Sequence, residues 1–283
     1  MAGSLRRGIE KAKKERAMAA AAQGAAKIKA PAEIRTPVGP AYRDVQRVTL
    51  DTDTILANRC VCANSDVLES DYYKVLRTQI QHVVAEKRWR AIMVTSTLPD
   101  EGKTLTSINL AFSFAKAYDQ TVMLIDADLK NQQVHKTLGI HSQYGLVDYL
   151  INDQPISDCL IRPEGEKLVL ISGGRSMDGS SELLGSQVMR TFVRETRDRY
   201  EDRLVFFDVP PIMIGADAMA FAPLVDGIVF VVRAGQTSTK QARKAIELLP
   251  QDKLIGVVLN GQKMNADPYK KYYKKISADV GRA

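Results

Sequence analysis

The sequence predicts an α/β protein built on a doubly wound, mainly parallel sheet. Two observations carry that expectation. Six short β-rich runs stand out after Trp89: 91–96, 121–128, 168–172, 203–209, 227–233 and 254–260. Several are apolar on both faces, as strands covered by helices on each side must be. Helical patterns lie between them at 103–117, 181–200, 216–224 and 237–249, and repeated β-α-β alternation selects parallel pairing with crossover helices. With 283 residues, 45% of them hydrophobic and 26% charged, the chain is long enough to bury a core.

From the N-terminus, residues 1–65 read as a basic arm followed by a linker. Residues 1–30 are rich in Ala and Lys with only a thin apolar face, which suits a solvated arm, partly helical or disordered. Such an arm can also dock on anionic lipid or an acidic partner. Pro31, Pro37, Gly39 and Pro40 then punctuate a linker. The domain proper is expected over 66–262, opening with a helix to about Glu86, and 263–283 form a polar tail. Residues 1–50 hold eleven Lys/Arg against four Asp/Glu, and the remainder carries 29 of each sign. The net charge of +7 therefore belongs to the arm, which disfavours a uniformly basic nucleic-acid-binding domain. No run of 18 apolar residues occurs, so a spanning helix is not expected. The basic N-terminus lacks the apolar core of a secretory signal. Cys60, Cys62 and Cys159 fit a reducing compartment better than a disulfide framework.

The first strand, 91–96, runs into Thr97-Leu98-Pro99-Asp100-Glu101-Gly102-Lys103-Thr104-Leu105 and then a helix. Strand, loop, Gly-Lys-Thr and helix together form a phosphate-binding loop. Backbone N–H groups at the helix start favour phosphate oxygens. Lys103 is placed to reach the β- and γ-phosphates and the Thr104 hydroxyl to bind Mg²⁺. Thr97 stands where such loops usually have their first glycine. Asp100 and Glu101 set two carboxylates beside the phosphates, which is costly unless they point away.

Two later strands end in acid. The run 121–128 closes with Asp126-Ala127-Asp128, and 203–209 contains Asp208 before Pro210-Pro211. Carboxyl ends of parallel strands face the crevice where ligands bind. Asp208 is placed like a Walker B aspartate, with Mg²⁺ held by Thr104, Asp126 and Asp208. On a regular strand Asp126 and Asp128 would share one face, one carboxylate for the metal and the other to accept a hydroxyl proton.

These residues resemble the bacterial tyrosine kinases, within the MinD/ParA-like P-loop ATPases. The resemblance rests on Ser96 to Thr104, on Asp126-Ala-Asp128-Leu-Lys130 and on Asp208-Val-Pro210-Pro211, and it covers roughly 66–275. It implies an ATP- and Mg²⁺-dependent autokinase that phosphorylates tail tyrosines of a neighbouring subunit, here Tyr269, Tyr272 and Tyr273. It also implies control of exopolysaccharide or capsule synthesis and export. A membrane polysaccharide co-polymerase would be the partner, holding a cytoplasmic protein at the inner face of the plasma membrane, with no nucleic acid involved. A ring-shaped homo-oligomer is implied by Asp71, Lys74 and Arg77, which match the charge signs of the family's assembly helix. Catalytic roles fall to Lys103, Asp126, Asp128 and Asp208. Nucleotide contacts fall to Thr97, Pro99, Asp100, Glu101, Gly102, Lys103, Thr104, Leu105 and Asn260, the last toward the adenine. Asp100 replaces the family glycine, and a positive φ there would strain the loop. Leu98 stands where partitioning ATPases have a second lysine.

Other signals are weaker. His82, His135 and His141 lack metal-ligand spacing, and Cys60-Val-Cys62 is too little for zinc. Asp217 reads as a helix cap. Arg233, at a strand end, faces the crevice side. Two rival readings stand beside the kinase: a MinD/ParA-like ATPase switch, and a non-catalytic assembly subunit of a polysaccharide machine.

Overall fold

The computed structural model describes residues 45–64 and 69–262. Its eight strands are β1 (Gln46–Val48), β2 (Ala91–Ser96), β3 (Thr121–Asp126), β4 (Leu160–Pro163), β5 (Leu168–Ile171), β6 (Arg203–Asp208), β7 (Gly227–Arg233) and β8 (Leu254–Asn260). They lie side by side in the order β1-β4-β5-β3-β6-β2-β7-β8. All pairings are parallel except β4 with β5. The doubly wound, mainly parallel sheet expected from the sequence is therefore present.

The central strands are buried on both faces because their side chains alternate between two cores. Met93, Met123, Ile125, Val205, Phe207, Ile228 and Phe230 enter one core. Ile92, Val94, Val122, Leu124, Leu204, Phe206, Val229 and Val231 enter the other. Helix α3 (Lys103–Ala115) lies in the second core, with eleven of its thirteen residues buried. Phe114 meets Phe206 there at a ring separation of 5.3 Å. Helix α2 (Ser70–Lys87) packs on α3 through Ile80 and Val84. The first core is covered by α5 (Leu146–Asn152), α8 (Gln187–Asp198) and α9 (Asp217–Phe221), and by Ala245 of α10 (Thr239–Glu247). Short helices α1 (Thr52–Ala57), α4 (Val134–Thr137), α6 (Ile156–Cys159) and α7 (Ser180–Leu184) complete the α-helices of the described residues.

Several sequence expectations change. The stretch read as linker contributes structure from Val45 onward: β1 adds an edge strand beside β4, and Ile55, Cys60 and Cys62 are core residues. These pieces are short, and their partners lie about a hundred residues away, so local pattern does not reveal them. The helical pattern 181–200 is two helices. Ser186 turns its hydroxyl to the Met189 N–H at 3.1 Å, capping α8 and ending the run from α7. Asp217 is the first residue of α9 rather than its cap. The Cys60 and Cys62 thiols are buried, and burial pushes each up to about 12. Among the described residues no cluster of His, Cys, Asp or Glu could cage a metal. The arm before residue 45 and the tail after 262, including Tyr269, Tyr272 and Tyr273, lie outside the described residues.

Candidate active site

The sheet order places β2 beside β6, and β6 beside β3. The loop after β2 therefore opens over the ends of the two acidic strands. Asp126 and Asp208 are direct register partners on β3 and β6. Both carboxylates are fully buried.

Lys103 begins α3 and its ammonium is the hub. Nζ lies 2.9 Å from an Asp128 carboxylate oxygen and 3.3 Å from Asp208 Oδ2. Thr104 donates to Asp208 Oδ2 at 2.6 Å, and Ser107 Oγ lies 3.1 Å from Asp208 Oδ1. Burial opposes the charge on Lys103, but Asp208, Asp128 and Asp126 outweigh it and raise its pKa. Asp126 is pushed up to about 7, chiefly by burial and then by Asp208, against the pull of the Val134 N–H and Lys103. Burial likewise raises Asp208, with Lys103 and Thr104 opposing.

The structure thus gathers Lys103, Thr104, Asp128 and Asp208 directly, with Asp126 behind them. Two details differ from the sequence expectation. β3 stops at Asp126, so Asp128 sits in the following turn and the strand-alternation argument does not place it. Asp126 spends its oxygens on backbone: Oδ1 accepts from Asp128 N at 3.1 Å, and Oδ2 accepts from Gln133 N and Val134 N at 3.0 Å. It fastens the turn that carries Asp128 as well as adding charge. Ser107 was not legible as a site residue, although its position one helical turn after Lys103 is the signal that finds it.

The loop handles its acids by pointing them away. Glu101 is buried, and its Oε2 accepts from Thr97 N at 2.6 Å and Leu98 N at 3.1 Å, while Oε1 meets the Thr237 hydroxyl. Asp100, like its neighbour Pro99, is exposed. The N–H groups of Lys103, Thr104 and Leu105 form the first turn of α3 and have no intrahelical acceptor. They remain available to an anion. Asn260 has both ends of its amide engaged: Nδ2 donates to Glu101 O and Oδ1 accepts from Gly261 N, each at 2.9 Å. Arg233 donates to Asp100 O at 2.7 Å. Lys130 pairs with Asp217 at 3.0 Å, and Asp217 also meets the Ser180 hydroxyl. On α2, Lys74 pairs with Asp71 at 2.6 Å and Arg77 donates to Ser113 O at 2.6 Å.

Asp100 adopts φ +61°, so the expected strain is present, although aspartate enters the left-handed region more readily than most non-glycine residues. Asp100→Gly relieves that strain and removes a carboxylate near the phosphates. MgADP affinity should rise about 2–3-fold, from removal of the charge alone, because strain carried by the free and the bound loop alike cancels from the affinity. The melting temperature should barely move, because glycine also loosens the unfolded chain. Calorimetric titration checks this, and weaker binding by the variant would contradict it.

The donor set fits a hard divalent cation. The Thr104 hydroxyl and the Asp208 carboxylate are adjacent oxygens with Asp126 near, and magnesium is held by one or two carboxylates together with substrate phosphates rather than by a full protein cage.

A family model described as an AAA domain matches residues 90–247. The chain is 33% identical over 208 residues to the tyrosine-protein kinase YwqD of Bacillus subtilis, spanning 73% of this chain and 86% of that protein. It is 31% identical over 201 residues to the succinoglycan biosynthesis transport protein ExoP of Rhizobium meliloti, spanning 69% of this chain and 25% of ExoP. The solved kinase domain of the Escherichia coli tyrosine kinase ETK matches with a TM-score of 0.64 at 29% identity, covering 70% of this chain and 77% of that one. A lysine at a helix start facing paired acidic strand ends thus coincides with likeness over most of the chain, which belongs to the bacterial tyrosine-protein kinases and carries their P-loop AAA domain.

Proposed function

We propose that this kinase transfers the γ-phosphoryl group of ATP to Tyr269, Tyr272 and Tyr273 in the tail of a neighbouring copy. The observation that carries the proposal is the convergence of Lys103, Asp128, Asp208 and Thr104 within 3.3 Å. The loop N–H groups and Lys103 bind the β- and γ-phosphates. Thr104 and Asp208, with Asp126 behind them, would hold magnesium, which supplies charge neutralisation across the transferring group. Asp128 accepts the phenol proton as the new O–P bond forms and the bond to the ADP oxygen breaks. An unperturbed phenol has a pKa near 10, so a base at this point is useful chemistry. Positioning and charge compensation supply the rest.

The tyrosines stand among Lys270, Lys271, Lys274 and Lys275. Each phosphate adds nearly two negative charges, so full phosphorylation reverses the sign of the tail and loosens its docking on a neighbour. The likeness to ExoP supports a role in exopolysaccharide or capsule synthesis and export. A membrane co-polymerase is the partner we infer, placing the kinase at the inner face of the plasma membrane. Among the described residues no helix is long and apolar enough to cross a membrane. The homo-oligomer is part of the same proposal, since transfer between copies requires one.

The test is incubation with MgATP, with and without a candidate partner's cytoplasmic segment, followed by phosphopeptide mapping. Phosphate is expected on 269–273 and absent after triple substitution by Phe. ATP hydrolysis with an unmodified tail would replace the kinase reading by an ATPase switch.

A further inference from the structure

Three side chains from outside the phosphate loop grip two consecutive carbonyl-bearing residues in it. Arg233 donates to Asp100 O at 2.7 Å and Asn260 donates to Glu101 O at 2.9 Å. The Thr237 hydroxyl meets the Glu101 carboxylate and accepts from Arg233 N at 3.2 Å. Arg233 and Asn260 end β7 and β8 and are register partners. Their backbones are joined further by Ala234 N donating to Asn260 O at 2.8 Å. The three side chains therefore form one unit fixed to the sheet, not three separate surface contacts.

The grip has a geometric consequence. In a trans peptide the C=O of one residue and the N–H of the next point in opposite directions, and no peptide among the described residues is cis. Holding the Asp100 and Glu101 carbonyls toward Arg233 and Asn260 turns the N–H groups of Glu101 and Gly102 to the opposite side. The residues being held include the two positive-φ corners, Asp100 at +61° and Gly102 at +91°, where an unsupported loop relaxes most readily. Gly102 approaches the clamp so closely that a Cβ there would lie 2.0 Å from Asn260 Nδ2.

We propose that Arg233, Thr237 and Asn260 are positioning residues that aim the loop N–H groups of Glu101 and Gly102 at the nucleotide phosphates. The inference rests on the nucleotide-binding reading of this loop. It gives Asn260 a task on the loop in place of the adenine contact.

The test is calorimetric titration of the full chain with MgADP, alongside thermal melting. Thr237→Val keeps the shape and removes the hydroxyl, Thr237→Ser keeps the hydroxyl, and Asn260→Asp keeps the shape and removes the donor. The clamp predicts roughly tenfold weaker binding by Thr237→Val and Asn260→Asp, because each leaves a loop acceptor without its donor. Thr237→Ser should bind within about twofold of the unaltered chain. Affinity within twofold for either Thr237→Val or Asn260→Asp overturns the proposal. The pattern in which only Asn260→Asp weakens would return that residue to the adenine. Failure of Thr237→Ser to restore binding also overturns it, by showing that shape at 237 matters and the hydroxyl does not. A different failure, no MgADP binding by the unaltered chain, would remove the nucleotide reading itself. If Asn260→Asp does not fold, the Thr237 pair decides alone.

Discussion

Lys103→Ala is expected to abolish tail phosphorylation and to destabilise the protein at the same time. The first effect follows from the role proposed for this cation at the nucleotide phosphates. Removing one preorganised transition-state donor costs about 10²–10³ in rate. The second follows from what the ammonium does in the unliganded fold. It lies 2.9 Å from Asp128 and 3.3 Å from Asp208, with the fully buried Asp126 adjoining. Breaking a buried ion pair from one side costs about 3–5 kcal/mol, because charge is left uncompensated.

The loss should depend on pH in a defined direction. Asp126 and Asp208 already have folded pKa values above 3.8, and removing Lys103 raises them further. Between the unfolded and folded pKa values the native state binds more protons than the unfolded chain, so stability falls as pH rises. Urea denaturation should show the variant weakest relative to the unaltered chain near pH 8 and recovering toward pH 5. A deficit that grows on acidification would refute this account of the charge cluster.

Gly102→Ala should strip the loop of nucleotide affinity while leaving α3 in place. Two costs add. The residue sits at φ +91°, where an L-side chain pays about 1–2 kcal/mol. The new Cβ would also lie 2.0 Å from Asn260 Nδ2, so Asn260 must leave and the Glu101 carbonyl loses its donor. Together these correspond to roughly 10²-fold weaker MgADP binding. Calorimetry reads the affinity directly, and binding within threefold of the unaltered chain would show that the loop adapts without Asn260.

The sequence exposes some of this architecture and hides the rest for physical reasons. All six β-rich runs are strands because each is a continuous apolar segment; five of them are buried on both faces, and β8, at the sheet edge, leaves Val257 and Leu259 exposed. The phosphate loop and the acids on β3 and β6 were legible because their chemistry is written in a few contiguous residues. β1, β4 and α1 were not, being only three to six residues long, and β1 in addition pairs with chain more than a hundred residues away. The position of Asp128 depended on where β3 stops, which the backbone N–H groups around Asp126 decide. Ser107 carries only a helical-spacing signal, one turn after Lys103. Thr237 carried none, since its partner Glu101 lies 136 positions away and nothing near 237 announces a loop contact. The linker reading of 31–65 rests on prolines that lie outside the described residues, and it does not anticipate that the chain from Val45 onward has apolar side chains to bury.

The register pairing of Asp126 with Asp208 ties chemistry to architecture. Their spacing is set by the main-chain ladder between two neighbouring strands at the middle of the sheet, not by the choice of side chains around them. A slip of one residue would swing one of the two acids to the opposite face, and every apolar side chain on that strand would have to follow. Drift in this acid pair is therefore forbidden by the same packing that keeps water out. Adaptation of the enzyme to new acceptors has to come from the loops and tails around a centre that cannot move.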